Sequence, residues 1–184
     1  MTQFRGFIAI DINATSQILE FKKAIEGTGA DVKLVEPENI HITLKFLGDV
    51  AENLVDSLDN AIKEAVRGIK PYPLLLRKTG VFPNQQYLKV IWIGIEDGQT
   101  TGIIAKKLDE ELSKLGFPRE AKQFTPHLTI GRVKTARQKQ QLLQVIERYR
   151  DTLFGEYTVT SVLLKKSELT PKGPIYTTVR DVRL

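Results

Sequence analysis

Two segments of the chain share one alternating pattern, in which a histidine, an aliphatic residue, a threonine and a second aliphatic residue follow one another. Residues 41–44 read HITL and residues 127–130 read HLTI. Side chains alternate between the two faces of a β-strand, so each segment directs its aliphatic residues to one face and its polar pair to the other. His41 and His127 are the only two histidines in the 184 residues. The fold must therefore accommodate two strands that each have one apolar and one polar face.

The polar faces of these strands carry groups suited to proton transfer around an anion. An imidazole exchanges a proton near pH 7, and a threonine hydroxyl can donate a hydrogen bond to a charged oxygen. A single histidine in such a place is best interpreted as an ordinary half-buried strand residue. Two histidines, each followed two positions later by a threonine (Thr43 and Thr129), favour a functional pair with an acid, a base and two hydrogen-bond donors.

Hydrophobic periodicity divides the chain into two similar runs of elements, each containing one motif strand. The first predicted run comprises a strand over 3–12, a helix capped by Thr15 or Ser16, a short strand over 32–35, the motif strand over 40–47 closed by Gly48, a helix opened by an Asp49–Glu52 capping box, and a strand over 74–77. The second comprises a strand over 87–95, a helix that opens at 98–101, the motif strand over 126–133, a helix that carries Leu142 to Tyr149, and strands over 157–166 and 175–184.

This repetition predicts an internal duplication within one domain over residues 1–184, with one HxTx motif in each half. We expect two similar lobes related by a pseudo-twofold axis, with the motif strands meeting between them. Such an arrangement would place one histidine from each lobe beside the same bound group.

Other catalytic constellations find little support. The chain contains no cysteine, which excludes disulfides, thiolate metal sites and a cysteine nucleophile. Two histidines without an HExxH spacing leave too few ligands for zinc, and a carboxylate ligand would have to come from a distant part of the fold. The sequence also lacks the Gly-x-Ser-x-Gly turn of a serine hydrolase and a glycine-rich phosphate-binding loop. We therefore expect no metal and no cofactor.

Composition and charge indicate a globular protein with an acidic partner. Hydrophobic residues make up 41% and charged residues 27% of the chain, as in ordinary globular domains. A net charge of +5 favours nucleic acid as the partner, although a mildly basic surface without a partner gives the same charge. The apolar run from Ile8 to Ile12 is interrupted by Asp11 and is too short to span a bilayer. This predicts no secretory signal, no membrane association and a cytoplasmic location.

The motifs and their flanks resemble those of the 2H phosphoesterases, and most closely the LigT-like RNA 2′,3′-cyclic phosphodiesterases. The resemblance spans nearly the whole chain and rests on RGFIAI at 5–10, HITLKFLG at 41–48, FTPHLTIGR at 124–132 and LTPKGPIY at 169–176. One HxTx tetrapeptide is a weak indication, whereas two at this spacing and with these flanks are a specific match.

The resemblance implies a bilobal α+β fold, with an antiparallel sheet and outer helices in each lobe and the active site in the cleft between them. It also implies metal-independent hydrolysis of RNA 2′,3′-cyclic phosphate ends to 2′-phosphomonoesters. In that reaction His41 would be the proton donor and His127 the proton acceptor, with Thr43 and Thr129 donating to the non-bridging oxygens. The near symmetry of the motifs leaves the order of the two histidines undecided by the residues alone.

Without a metal, cationic side chains are expected to help hold the phosphate. Lys45 shares the face of His41 if its strand is regular. Arg132 lies on the opposite face from His127 unless a bulge at Gly131 re-aims it. Two further substrate-binding candidates are Arg5 and Tyr176. A solvated or structural role is an equally good interpretation of all four. Four aromatic residues could stack on a base, namely Phe46, Phe82, Phe124 and Tyr176. Aromatic residues in or beside strands more often belong to a core.

Alternatives to hydrolysis stay open at this point. The same site could join a 2′,3′-cyclic phosphate to a 5′-hydroxyl as a 2′,5′ RNA ligase, because a ribose hydroxyl would then replace water. A nucleotide- or RNA-binding module without turnover would bind RNA even after loss of either histidine. A structural protein with coincidental motifs would be insensitive to that loss. We favour a monomeric phosphodiesterase that acts on cyclic phosphate ends of RNA, tRNA fragments among them, or on small nucleotides.

Overall fold

The computed structural model describes residues 2–96, 98–171 and 173–184, and within them the chain forms nine β-strands and four α-helices. The strands are β1 (Gln3–Asp11), β2 (Val32–Leu34), β3 (His41–Ala51), β4 (Tyr72–Phe82), β5 (Val90–Glu96), β6 (His127–Val133), β7 (Leu153–Val159), β8 (Ser161–Thr170) and β9 (Gly173–Arg183). The helices are α1 (Ser16–Glu26), α2 (Val55–Val66), α3 (Gln99–Ser113) and α4 (Lys139–Arg148). The predicted α+β class is confirmed.

The strands form a sheet in the order β7-β4-β5-β6-β3-β1-β8-β9, in which every described pair is antiparallel. The short strand β2 pairs with the C-terminal end of β6. At the centre, β3 and β6 share a single residue pair, Ile42 opposite Leu128. The sheet therefore consists of two halves that meet at the motif strands. The β3 half contains β3, β1, β8 and β9, and the β6 half contains β6, β5, β4 and β7.

The two halves exchange strands. β4 follows the first motif strand in the chain but pairs with β5 in the β6 half. β8 follows the second motif strand but returns to pair with β1 in the β3 half. The β3 half is therefore assembled from both ends of the chain, whereas β4 to β7 of the β6 half follow one another in the chain. The matching order of strands agrees with the predicted pseudo-twofold arrangement, whereas an origin by duplication stays a prediction.

The helices cover one face of the sheet. α2 and α3 pack on the β3 half, whereas α1 and α4 pack on the β6 half. The core between helices and sheet contains fully buried residues from both halves, such as Ile8, Ile62, Ile93 and Leu142. The face that carries the two histidines is opposite the core, and we call it the open face. No helix within the described ranges is both long and apolar enough to cross a membrane.

The start of α1 follows the sequence prediction, whereas the start of α2 does not. Thr15 caps α1, because its hydroxyl accepts a hydrogen bond from the amide of Ile18 at 3.2 Å. The predicted capping box of Asp49 and Glu52 is wrong. Instead β3 runs on through Gly48 to Ala51, where it pairs with the first residues of β1. Gly48 adopts φ +71° within the strand, a value that glycine tolerates without strain.

The last part of the chain contains three strands instead of the two predicted. The apolar alternation over 157–166 belongs to two different strands, β7 and β8, which are separated at Thr160. β7 pairs with β4 in the β6 half, and β8 pairs with β1 in the β3 half. A crossing between halves leaves the alternation of side chains uninterrupted, so periodicity alone does not reveal it.

Candidate active site

The junction of β3 and β6 brings the two histidine motifs together on the open face. Ile42 and Leu128 lie opposite each other and are fully buried on the core side. In an antiparallel register centred on this pair, each motif histidine is nearest to the threonine of the other motif. Diagonal neighbours in such a ladder lie roughly 7–8 Å apart. The two imidazoles therefore flank a space that suits one phosphate group.

Both imidazoles are held in the same way by the backbone that precedes their strands. Nδ1 of His41 donates to the carbonyl oxygen of Asn39 at 2.7 Å, and Nδ1 of His127 donates to that of Thr125 at 2.7 Å. A carbonyl oxygen can only accept, so each Nδ1 carries a hydrogen. In the neutral rings Nε2 then keeps its lone pair. The two bonds thus fix the tautomer and leave Nε2 of each ring for chemistry.

The surroundings of the two Nε2 atoms differ. Nε2 of His41 lies 3.0 Å from Oγ1 of Thr43, whose hydroxyl donates to it when the ring is neutral. Among the described residues, Nε2 of His127 forms no such bond. In the free protein, therefore, the second imidazole is the more available proton acceptor.

His41 lies among charged groups from three neighbouring strands. Burial lowers the pKa of His41 below its usual value of 6.5, and the charges of Lys165 and Arg132 act in the same direction. The hydrogen bond to Asn39 and the carboxylate of Asp11 oppose this decrease. Asp11 lies opposite His41 in the β1–β3 ladder and accepts a hydrogen bond from Nζ of Lys165 at 2.5 Å. The free protein therefore holds His41 mainly neutral at pH 7.

Aromatic rings support His41 on the open face. The ring centroid of Phe7 lies 5.0 Å from the imidazole, and that of Tyr176 lies 5.4 Å away at an interplanar angle of 87°. Phe7 and Tyr176 also contact each other, with centroids 4.9 Å apart. Burial raises the pKa of Tyr176, although the charge of Arg132 opposes the increase. His41 is therefore packed between two rings that restrict its movement.

His127 has a corresponding aromatic support in the β6 half. Phe82 meets the imidazole edge to face, with centroids 5.0 Å apart, and Trp92 lies 5.3 Å behind Phe82. The indole of Trp92 lies directly over Gly80, where a Cβ atom would be only 2.1 Å from the ring. A pocket of about 230 Å³ opens beside His127 and is lined in part by Phe82 and Trp92.

The structure corrects the prediction for Lys45. A register shift in the β1–β3 ladder places Lys45 opposite Ile8, on the core face, and Phe46 opposite Phe7, on the open face. Lys45 is 4% exposed, and its Nζ donates to Asp109 Oδ1 of α3 at 2.7 Å and to the carbonyl oxygen of Pro118 at 2.7 Å. Its ammonium group therefore stabilises the packing of α3 and does not share the face of His41.

The prediction placed Arg132 on the face of His127 only if β6 contains a bulge, and the structure contains one. In the β5–β6 ladder, Ile91 pairs with Gly131 and Trp92 pairs with Thr129, which leaves an extra residue on β6 between these pairs. Arg132 consequently lies on the open face, and its charge acts on both His41 and Tyr176 in the other half. Of the proposed phosphate-binding cations, Arg132 is the one whose charge acts on His41.

The remaining predicted residues lie at different distances from the motif strands. Tyr176 contacts His41 directly, whereas Arg5 is exposed on β1, two residues before Phe7 on the same face. Sequence reasoning missed the positions of Phe7, Asp11 and Lys165 beside the first histidine. The alternation of β1 already places Phe7 and Asp11 opposite the buried isoleucines, so this signal was present in the sequence. Lys165 carries no such signal, because only the return of β8 brings it to β1.

Metal ligands are not grouped in the part of the chain that the structure describes. No three or more His, Asp or Glu side chains there are placed to hold one metal ion. The metal independence of the reaction stays a prediction.

The fold and the two HxTx strands are those of a phosphoesterase family. The sequence profile of the LigT-like phosphoesterases matches the chain over residues 8–92 and 95–176, which include both motifs. The chain therefore belongs to the LigT-like phosphoesterase family.

Close relatives carry a specific name. A protein of Methanothermobacter thermautotrophicus, named RNA 2′,3′-cyclic phosphodiesterase, is 40% identical over 182 residues, which cover 98% of each chain. A protein of Methanocaldococcus jannaschii with the same name is 43% identical over 179 residues, covering 96% of this chain and 99% of its own. The crystal structure of TT0787 of Thermus thermophilus is similar with a TM-score of 0.81 at 28% identity, covering 98% of this chain and 97% of its own. The fold of E. coli LigT complexed with 3′-AMP is also similar, with a TM-score of 0.76 at 22% identity, covering 100% of this chain and 99% of its own.

Proposed function

We propose that the protein hydrolyses 2′,3′-cyclic phosphate ends of RNA to 2′-phosphomonoesters. The observation that carries this proposal is the matched pair of imidazoles. Each has Nδ1 fixed to a backbone carbonyl, and Nε2 is directed to the open face, where that of His41 meets only the hydroxyl of Thr43 among the described residues. The relatives named RNA 2′,3′-cyclic phosphodiesterase support the choice of substrate.

A cyclic phosphate bound between the rings needs one proton removed and one supplied. Nε2 of the basic histidine accepts a proton from water as the water oxygen forms a bond to phosphorus. The bond from phosphorus to O3′ breaks, and O3′ takes a proton from the acidic histidine. The phosphate stays on O2′ and the 3′-hydroxyl is restored. Attack and departure are in line on opposite sides of phosphorus, which suits one imidazole from each half, and each transfer contributes roughly 10²–10⁴-fold.

We assign His41 as the proton donor and His127 as the proton acceptor. The free Nε2 of His127 supports its role as the base. The lowered pKa of His41 does not favour a proton donor in the free protein, because that ring is mainly neutral at pH 7. A bound phosphate anion favours the protonated imidazole and so raises this pKa. The donor role of His41 therefore depends on the charge of the substrate itself.

Stabilisation of the phosphate is assigned to three further side chains. Thr43 and Thr129 lie on the same face as the histidines and can donate to the non-bridging oxygens as charge accumulates there. Arg132 places a permanent positive charge in reach of the same group. Together these residues stabilise a more negative transition state without a metal.

The test is the conversion of a short RNA with a 2′,3′-cyclic phosphate end in the presence of EDTA. We expect the wild-type protein to yield only the 2′-phosphate isomer. His41→Ala and His127→Ala should each lower kcat by about 10²–10⁴-fold, with unfolding temperatures compared to verify folding. Loss of activity with EDTA would contradict the metal-free mechanism, and bound but unconverted RNA would contradict the enzymatic function. A joined product after addition of a 5′-hydroxyl RNA would identify ligase activity instead.

A further inference from the structure

A second pocket lies at the end of β6 that is remote from His127. It has a volume of about 660 Å³ and is formed by the segment before β5, the last residues of β6 and the beginning of α4. We call it the basic pocket and define it by Tyr87, Lys89, Arg132, Lys134 and Lys139.

The basic pocket concentrates positive charge. Four of its lining residues are cationic, and none of the lining residues is a carboxylic acid. Within the described parts of the chain, these four cations form no ion pair. Lys139 is held in place, because its Nζ donates to the carbonyl oxygen of Gln86 at 2.8 Å. That bond orients the ammonium group without neutralising it, so the pocket retains a charge that suits a polyanion.

An exposed aromatic ring lies at the edge of the basic pocket. Tyr87 is 69% exposed. Its backbone is fixed by a turn, because Oδ1 of Asn84 accepts hydrogen bonds from the amides of Gln86 at 2.9 Å and Tyr87 at 3.0 Å. A ring that is presented in this way beside several cations is the combination that binds single-stranded nucleic acid, through base stacking and phosphate contacts.

Arg132 connects the basic pocket with the histidine pair. It lines the pocket, and its charge also acts on His41 and Tyr176 in the other half. A strand whose terminal phosphate lies between the histidines can therefore pass Arg132 and continue into the pocket.

We propose that the basic pocket binds the sugar–phosphate backbone of the nucleotides that precede the cyclic phosphate, with Tyr87 stacking on one of their bases. This proposal rests on the function proposed above, and it makes oligonucleotides better substrates than cyclic mononucleotides. Lys89 and Lys134 contact phosphates, whereas Arg132 serves both the pocket and the terminal phosphate.

The experiment compares two substrates, adenosine 2′,3′-cyclic phosphate and a tetranucleotide with the same cyclic end. Two variants change the pocket without touching the histidine site, Tyr87→Ala and the double variant Lys89→Ala/Lys134→Ala. The matched control is Lys23→Ala/Lys106→Ala, which removes two exposed charges from the helical side of the fold. Arg132 and Lys139 are left intact because of their other roles.

We expect KM for the tetranucleotide to rise about tenfold in each pocket variant, with the mononucleotide kinetics and the control unchanged. The slope of log KM against log salt should fall by about 1.4 in the double variant, about 0.7 for each lost phosphate contact. Equal kinetics on the tetranucleotide in all variants would overturn the proposal. An equal loss on both substrates would also overturn it.

A binding measurement separates this proposal from the proposed function. Fluorescence anisotropy of a labelled tetranucleotide with a 2′-phosphate end requires no turnover. Weaker binding by both pocket variants, but not by the control, would support the pocket even if the wild-type protein hydrolysed neither substrate. Unchanged binding would overturn it.

Discussion

The carboxylate of Asp11 accepts a hydrogen bond from Nζ of Lys165 at 2.5 Å, beside the imidazole of His41. The two charges act on that ring in opposite directions. Asp11 raises the pKa of His41, whereas Lys165 lowers it. Each can be removed separately, which makes the acid and base roles of the histidines accessible to experiment.

The first prediction concerns the pH dependence of kcat/KM. Asp11→Asn should lower the pKa of His41 further, and Lys165→Met should raise it. A proton donor must be protonated, so activity is lost as the pH rises through its pKa. If His41 is the donor, the alkaline limb of the profile moves to lower pH in Asp11→Asn and to higher pH in Lys165→Met. The other charged or titratable groups that act on this ring or contact it, Arg132 and Tyr176, remain unchanged. If the two variants move the acid limb of the pH profile instead, His41 is the base.

The second prediction concerns the threonine hydroxyls. Thr129→Val keeps the shape of the side chain but removes the donor to the phosphate oxygen. We expect kcat to fall by about 10²-fold, since removal of one such donor typically costs 10²–10³-fold. Thr129→Ser, which retains the hydroxyl, should recover most of the activity. If both variants keep wild-type kcat, the hydroxyl does not contact the transition state.

The third prediction separates a structural from a substrate-binding role for Lys45. Lys45→Met keeps the aliphatic part but leaves Asp109 without its ammonium partner. Unfolding in urea should show a loss of about 1–3 kcal/mol at pH 7, with KM and kcat unchanged. A rise in KM without loss of stability would restore Lys45 as a substrate-binding residue.

The same variant has a predicted pH dependence of stability. Burial acts to raise the pKa of Asp109, but the hydrogen bonds from Lys45 and the amide of Glu120, together with the charges of Lys45 and Arg119, lower it overall from 3.8. A carboxylate whose pKa is lower in the folded than in the unfolded protein stabilises the fold at pH values above its unfolded-state pKa. This contribution is lost as the pH falls through the folded-state pKa. The difference in the free energy of unfolding between wild type and Lys45→Met should therefore become smaller under acidic conditions.

The fourth prediction concerns the support of His127. Gly80→Ala would place a methyl group within the indole of Trp92, which must then move together with Phe82. We expect a loss of about 1–3 kcal/mol in stability and a lower kcat because the imidazole loses its neighbour. Gly102→Ala is the matched control, since a Cβ there meets no atom within 4 Å and should stabilise α3 by about 0.5–1 kcal/mol. Wild-type stability and kcat in Gly80→Ala would show that the packing of Trp92 and Phe82 does not support His127.

The sequence predicts the two motif strands and their faces well, because alternation determines which side chains share a face. It does not predict where that alternation is interrupted. The shift near Leu44 exchanges the faces of Lys45 and Phe46, yet HITLKFLG looks the same with or without it. Arg132 could be predicted only conditionally, since its face depends on one extra residue in β6.

Long-range pairing is the other part that local patterns do not determine. The alternation around Thr160 is continuous, although the chain crosses there from one half to the other. The position of Lys165 beside Asp11 depends on that crossing. Its role near His41 was therefore accessible only once the strand order was known.

The exchange of strands has a consequence for the order in which the protein can fold during synthesis. β1 emerges from the ribosome first and can pair with β3 soon afterwards, but its second partner, β8, begins only at Ser161. One edge of β1 must therefore stay unpaired while most of the chain is translated, which slows completion of the sheet. A nascent chain that stalls before β8 would contain both histidines but lack Lys165 and both strands that complete the β3 half, β8 and β9. Catalytic competence should therefore appear late, once β8 and β9 have emerged from the ribosome.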